Sequence, residues 1–244
     1  MKKRLDLLLV ELGLAASRQK AQALILSGDV LVSDVPMTKA GTPVDENLSI
    51  RVRGEKSPYV SRGGIKLMAA IEQFGCSVEG RTGLDVGAST GGFTQVLLMR
   101  GAKKVHALDV GHSQLDWSIR KDPRVKVYEG KNARYAEFDW IGEKVDLIVI
   151  DVSFISLDKI LGPLRVFSTP ETDWITLIKP QFEVGKEKVG KGGIVRNESD
   201  RLDAVDRITK IAESLGFIRK GLIESPITGT NGNCEFLAYW KMIE

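Results

Sequence analysis

TGLDVGASTGGFTQVLLMRG, residues 82–101, reads as a short strand, a glycine turn and a helix. Leu84 and Val86 alternate with Gly83 and Asp85 along the strand, and Gly87 breaks the pattern. After Gly91 and Gly92 the run FTQVLLM has helical spacing and stops at Gly101. Strand–turn–helix is half of a parallel-sheet unit, and the same unit recurs on both sides of it. Upstream, SRGGIKLMAAIEQFG (61–75) is a helix; downstream come the strand KVHALDVG (104–111), a helix around QLDWSIRK (114–121) and the strand VKVYEG (125–130). The strand VDLIVIDVS (145–153), a helix around SLDKILGPLRVF (156–167), the strand WITLIKP (174–180) and the helix ESDRLDAVDRITKIAESLG (198–216) continue the alternation. FIRKGLIES and CEFLAYWKMI close it as an antiparallel pair at one edge, joined through a Gly/Asn-rich turn. The expected fold class is α/β: a doubly wound, Rossmann-like, mostly parallel sheet with an antiparallel C-terminal strand.

Ligands in such sheets bind beyond the carboxyl ends of the strands. The turn Asp85-Val-Gly87-Ala88-Ser89-Thr-Gly91-Gly92-Phe93-Thr94 lacks the G-x-G-x-x-G spacing of a dinucleotide site. Asp109 follows at the roughly 20-residue interval of a carboxylate that grips ribose hydroxyls. An acid at the turn suits an ammonium group and repels a phosphate. With the methyltransferase-like sheet, these residues make S-adenosylmethionine the expected cofactor. GKEKVGK (185–191) imitates a phosphate loop, but Gly192 stands where Ser or Thr is needed for magnesium, and no helix follows at once. Its Lys186 and Lys188 read either as a solvated loop or as a phosphate-contacting flap.

Composition sets the bounds. The chain has 244 residues, 27% charged and 43% hydrophobic, which suits a folded core and a small accessory domain. MKKRLDLLLVELG is interrupted by Asp6 and Glu11, so it reads as an amphipathic helix and not a secretion signal, and no apolar run spans a membrane. Cys76 and Cys234 form no metal-ligand spacing, and both fit a reducing cytoplasm. A net charge of +3 permits nucleic acid without requiring it.

Residues 1–57 form a first, α+β domain and 58–244 a second, joined at the polar linker GEKSPYV. The first holds the helix RLDLLLVELG, a second helix RQKAQALILSG capped by Ser17, and the strands DVLVSD and LSIRVRG. Its basic residues Lys2, Lys3, Arg4, Arg18, Lys20, Lys39, Arg51 and Arg53 read either as a solvated face or as an RNA-binding one. RLDLLL and SRQKAQALILSGDVLVSD resemble the small RNA-binding domain of ribosomal small-subunit protein four; Val32-Ser33-Asp34 departs from the Val-Asn-Gly of many relatives.

Four polar residues stand where the strands or the first helix aim at the crevice. Asp151 ends VDLIVI, Lys179 ends WITLI ahead of Pro180, Glu235 opens the last strand, and Lys66 lies in SRGGIKL. Each alone reads as a cap, a snorkelling lysine or an edge carboxylate. Opposite charges at neighbouring strand ends point to one site. SRGGIKL, LDVGASTGGFT, DVSFISL, LIKPQFEVGK and NGNCEFL together resemble the hemolysin-type (TlyA) ribosomal RNA 2′-O-methyltransferases, relatives of the FtsJ-type RNA methyltransferases. The resemblance implies a Lys-Asp-Lys-Glu tetrad on Lys66, Asp151, Lys179 and Glu235, and an adenine-side segment at Asn132-Ala133. It implies methyl transfer to cytidine 2′-hydroxyls of ribosomal RNA, with Lys3, Arg4, Arg18, Lys20, Arg62, Lys186 and Lys188 as RNA contacts. Lys179 would handle the hydroxyl proton, with Lys66 as the second cation that makes an amine basic. Ending at Met242-Ile-Glu244, without the further helix of dual-specific relatives, points to the large subunit. The expected partner is ribosomal RNA or a ribosomal subunit, with no membrane and no obligate protein partner. The rival readings are a membrane-damaging hemolysin and a non-catalytic RNA-binding protein. His106 and His112 show no partner pattern, and the tryptophans read mostly as core.

Overall fold

The computed structural model describes residues 2–33, 35–52, 58–229 and 232–243. Arg53 and most of the linker, like Asp34, lie outside the described residues. Contacts divide the chain into residues 1–58 and 59–244.

In the first unit β1 (Lys2–Arg4) leads into α1 (Leu5–Glu11), and Ser17 caps α2 (Arg18–Leu26) by accepting the Lys20 N–H at 3.2 Å. Leu5, Leu8 and Leu9 of α1 meet Ala21 and Ile25 of α2 over Val30, Val32 and Val44. β2 (Val30–Val32) is flanked by β3 (Val35–Met37) and β5 (Ile50–Val52), while β4 (Pro43–Asp45) pairs antiparallel with β1. Three of these strands (β1, β3 and β4) were not anticipated. At three residues each they are too short to show an alternating pattern.

The second unit carries α3 (Gly63–Phe74), β6 (Thr82–Val86), α4 (Gly92–Met99), β7 (Lys104–Leu108), α5 (Trp117–Arg120) and β8 (Val125–Tyr128). It continues through β9 (Leu147–Ile150), α6 (Leu161–Leu164), β10 (Asp173–Ile178), α7 (Pro180–Glu183), α8 (Glu198–Ser214), β11 (Phe217–Glu224) and β12 (Phe236–Met242). The seven strands run in the order β11-β12-β10-β9-β6-β7-β8. β12 is inserted antiparallel between β10 and β11, and the pairs from β10 to β8 are parallel. The expected helix at 156–167 is instead a run of single turns, Leu157–Lys159, α6 and Arg165–Phe167, with Pro163 inside the four-residue α6.

Alternation along the strands builds a core on each face. Leu147 and Val149 join Leu67, Ala70, Val96 and Leu97 of α3 and α4 on one side. Ile148 and Ile150 join Val205 and Ile208 of α8 on the other, with Trp174, Phe167 and Trp240 filling that layer. Truncating such a fully buried leucine or isoleucine costs about 2–5 kcal/mol. Trp117 departs from the expected core placement: at 72% exposed it stands on the surface beside β8.

The register decides what the sheet presents at its end. β6 is central, and the chain moves outward on one side to β7 and β8 before returning to β9 on the other. Val86 is level with Leu108 and with Ile150, Ile150 with Thr176, and Ile178 with Phe236. The residues just beyond these positions are therefore Gly87, Asp109, Asp151, Lys179 and, because β12 runs the other way, Glu235. Strand order reverses between β6 and β9, where doubly wound sheets open a crevice.

Candidate active site

Two adjoining pockets occupy that crevice and share Gly87, Ser89, Asp151 and Ser153. One, of about 330 Å³, is a largely apolar slot with Leu108, Val110, Ala133 and Ile155 in its walls and Asp109 and Asn132 among its polar groups. The other, of about 310 Å³, is polar and collects Lys66, Asp151, Lys179 and Glu235.

The glycine turn is built by close approach. Gly87 has φ of +84°, and a Cβ there would lie 2.4 Å from the Asp151 carbonyl oxygen. Gly91 (φ +97°) lies behind the turn, where a Cβ would meet Leu115 at 2.8 Å, so it shapes the loop and does not line either pocket. Ser89 adopts φ of +47° and donates its N–H to Asp109 Oδ2 at 2.8 Å. Asp109 Oδ1 accepts from Gly111 N–H at 2.7 Å, so two backbone donors aim this carboxylate at the slot. Ala88 and Phe93 line the polar pocket, and Asn132, which caps a short turn by accepting from Arg134 N–H, lines the slot with Ala133.

Asp85 stands differently from its sequence-based expectation. It is 0% exposed and lies below the turn, not in the wall of either pocket. Thr94 Oγ1, equally buried, donates to Asp85 Oδ2 at 2.6 Å, while Oδ1 has no partner among the described residues. Burial pushes the carboxyl up to about 7, against the Thr94 hydrogen bond and with the help of Asp151. Asp85 and Thr94 thus act on the crevice from underneath. An orphaned, buried carboxylate oxygen below a glycine turn, with an aimed Asp109 and an apolar slot alongside, fits a cationic nucleoside cofactor.

The four polar residues form two ion pairs. Lys66 Nζ meets Glu235 Oε2 at 2.5 Å with both side chains buried, and Gln181 Nε2 donates to Glu235 Oε1 at 3.3 Å. Lys66 is therefore not a bare second cation; Glu235 offsets it. Lys179 Nζ lies 2.7 Å from Asp151 Oδ1 and donates to Ser153 Oγ at 2.9 Å.

Among the expected RNA contacts, Arg62 lines the polar pocket and donates to the Thr228 carbonyl at 3.0 Å. Lys20 and Lys186 are exposed. Arg4 and Arg18 converge on the buried Asp6, at 3.0 and 2.9 Å, and keep part of each guanidinium in solvent. Lys3 pairs with Glu11 at 2.7 Å and Glu46 at 3.4 Å. Lys188 is turned away from the crevice onto Asp200 and Asp203 of α8, at 2.8 and 2.9 Å, which hold its ammonium firmly charged.

Two side chains escaped the sequence reading. Phe154 is 91% exposed in the left-handed region (φ +65°), lines the slot, and contacts the Phe182 ring at 5.2 Å between centroids. Its signal was an aromatic among Ser and Asp directly after a strand end, where a core residue is not expected. His106 is partnered after all, with Tyr128 OH and Glu143 each at 3.0 Å from its ring nitrogens; burial lowers its basicity.

Sheet order and crevice together define a Rossmann-like methyltransferase. The FtsJ-like methyltransferase family matches residues 59–242, and the S4 domain matches residues 3–50. The 16S/23S rRNA (cytidine-2′-O)-methyltransferase TlyA of Mycobacterium tuberculosis is 45% identical across 98% of this chain and 89% of its own. Hemolysin A of Brachyspira hyodysenteriae is 43% identical across 97% and 99%. A solved structure from Streptococcus thermophilus that carries a hemolysin name superposes with a TM-score of 0.79 at 42% identity, covering 100% of this chain and 89% of that one. The chain belongs to the FtsJ-like methyltransferase family, among the TlyA-type members that carry an S4 domain ahead of the catalytic one.

Proposed function

We propose that this protein transfers the methyl group of S-adenosylmethionine to the 2′-hydroxyl of a cytidine in ribosomal RNA, that of the large subunit, in the cytoplasm. The observation that carries the reading is the junction of the two pockets: a nucleoside-sized apolar slot meets a pocket of two lysine–carboxylate pairs across Gly87, Ser89, Asp151 and Ser153. Bound in the slot, S-adenosylmethionine supplies an already activated methyl group. Asp109 would take its ribose hydroxyls, Asn132 and Ala133 would hold its base, and Asp85 would offset its positive charge from below. In the polar pocket Lys179, fixed by Asp151 and Ser153, holds the substrate hydroxyl in line. To take the hydroxyl proton, the Lys179 ammonium first loses its own proton to solvent. The neutral amine then accepts the hydroxyl proton as the oxygen–carbon bond forms and the carbon–sulfur bond breaks, and Asp151 holds the ammonium that results. Lys66 and Glu235 keep the opposite wall in place. The exposed Phe154 ring offers a stacking face for a splayed base, and Arg62, Lys20, Lys186 and the outer edges of Arg4 and Arg18 offer phosphate contacts.

The test is transfer of labelled methyl from S-adenosylmethionine to isolated large and small ribosomal subunits, with the modified nucleotide mapped. Label confined to a large-subunit cytidine ribose is the expected result. Label on a base, or equal label on both subunits, overturns the corresponding part. No helix among the described residues is long and apolar enough to cross a membrane. Leakage of liposomes by the purified protein, with no methyl transfer, would favour the hemolysin reading that the relatives' names raise.

A further inference from the structure

The reading above leaves one buried charged residue beside the crevice without a role. Glu183 is 6% exposed and ends α7, the single turn that begins directly after Lys179. Its carboxylate crosses to the neighbouring turn after β9. Oε1 accepts the Leu157 N–H at 2.9 Å and Oε2 accepts the Ser156 hydroxyl at 2.5 Å. Arg207 of α8 reaches Glu183 Oε2 at 3.1 Å and offsets its charge. The two turns touch at three successive levels. Lys179 meets Asp151 and Ser153, the Phe182 ring meets Phe154, and Glu183 meets Ser156 and Leu157.

The local hydrogen bonds of the β9 turn lie at its far end, where Ser156 accepts the Asp158 N–H at 3.2 Å. Phe154 stands in a left-handed conformation that a non-glycine residue keeps only where its surroundings impose it. The short turn Leu157–Lys159 that follows is capped by Ser156, the residue Glu183 grips. Glu183 therefore anchors the far end of a segment whose near end carries Asp151 and Ser153, the partners of Lys179.

We infer that Glu183 is a positioning residue for methyl transfer: it clamps the 153–157 turn onto the Lys179 turn, and so fixes the Asp151–Lys179 pair and the Phe154 wall of the cofactor slot. The inference rests on the catalytic reading of Lys179. It acts through Ser156 and Leu157 and touches no substrate.

The test compares Glu183→Gln, Ser156→Ala and the double variant in the full chain, with Lys179→Ala alongside. Single-turnover methyl transfer to isolated large subunits is read at saturating S-adenosylmethionine, together with calorimetric affinity for that cofactor and the thermal midpoint. Glu183→Gln keeps the volume but has a single acceptor oxygen, so it cannot accept from the Leu157 N–H on one side and from Ser156 and Arg207 on the other. We expect each single variant to lower the saturated rate about tenfold, with a midpoint close to wild type. The double variant should lose less than the product of the two single losses, because the Ser156–Glu183 bond is common to both. A rate per folded molecule that stays at wild type in Ser156→Ala overturns the proposal, even if Glu183→Gln fails to fold. So does a multiplicative loss in the double variant. A Lys179→Ala enzyme with wild-type rate would instead overturn the catalytic reading itself, whatever the Glu183 variants do.

Discussion

Two aspartates among the described residues are completely buried, and their surroundings differ in kind. Asp6, in the S4 unit, is met by Arg4, Arg18 and Gln22 side chains and by the Leu7 N–H, led by the Arg4 hydrogen bond, and its carboxyl is held well below the usual carboxylate range. Asp85, under the crevice, is met by Thr94 while its Oδ1 has no partner among the described residues, and burial pushes it up to about 7. A carboxylate surrounded by donors is a staple: it organises the local chain and has nothing left to offer. A carboxylate buried with an empty acceptor holds an unspent interaction, the kind that marks candidate ligand sites.

The largest effect that would break this contrast lies beside Asp85. Lys179→Ala removes the cation that offsets Asp151, and the rate of methyl transfer should fall roughly 10²–10⁴-fold while calorimetric affinity for S-adenosylmethionine stays nearly unchanged. Near-wild-type single turnover would remove Lys179 from the chemistry. Next, Asp6→Ala strips Arg4 and Arg18 of their common acceptor. The S4 unit should lose about 1.5–3 kcal/mol of stability, seen as earlier urea unfolding of that unit alone. The two aspartates should also respond to acid in opposite senses. Because Asp6 titrates lower folded than unfolded, its stabilisation is present above pH ~4 and is lost as the pH falls further. Asp85 titrates higher folded, so its ionisation penalises the fold above pH ~7 and that penalty disappears towards pH ~4.

A smaller effect follows for binding. A neutral Asp85 cannot offset a cationic cofactor, so affinity for S-adenosylmethionine should weaken as the pH drops below about 7, by up to about tenfold per pH unit. Asp85→Asn should flatten that dependence; an unchanged slope would place the titration elsewhere. Smallest of all, Lys188→Ala should leave rate and RNA affinity within about twofold of wild type, since its ammonium is spent on Asp200 and Asp203.

Much of this site could be read from the chain because its residues sit at strand ends. Asp109, Asp151 and Lys179 each follow an apolar run, and sheet topology sends such residues to one edge. The pairing within the tetrad was not readable: Lys66 and Glu235 are 169 residues apart, and only the insertion of β12 beside β10 brings them together. Asp85 was placed at the right turn but one layer too high, since a strand pattern does not distinguish a side chain in the wall from one beneath it. Glu183 carries no signal of its own in the sequence, and its burial depends on α8 arriving from elsewhere in the chain. Lys188 looked like part of a basic loop because its acidic partners lie on a helix that follows the loop.

The reversed direction of β12 has a consequence in time. Asp151 and Lys179 trail their strands, but Glu235 leads its own, so the last strand must be laid into the sheet before Lys66 finds a counter-charge. During synthesis the S4 unit, the glycine turn and the lysines all emerge first, and the catalytic wall closes only when the final segment inserts.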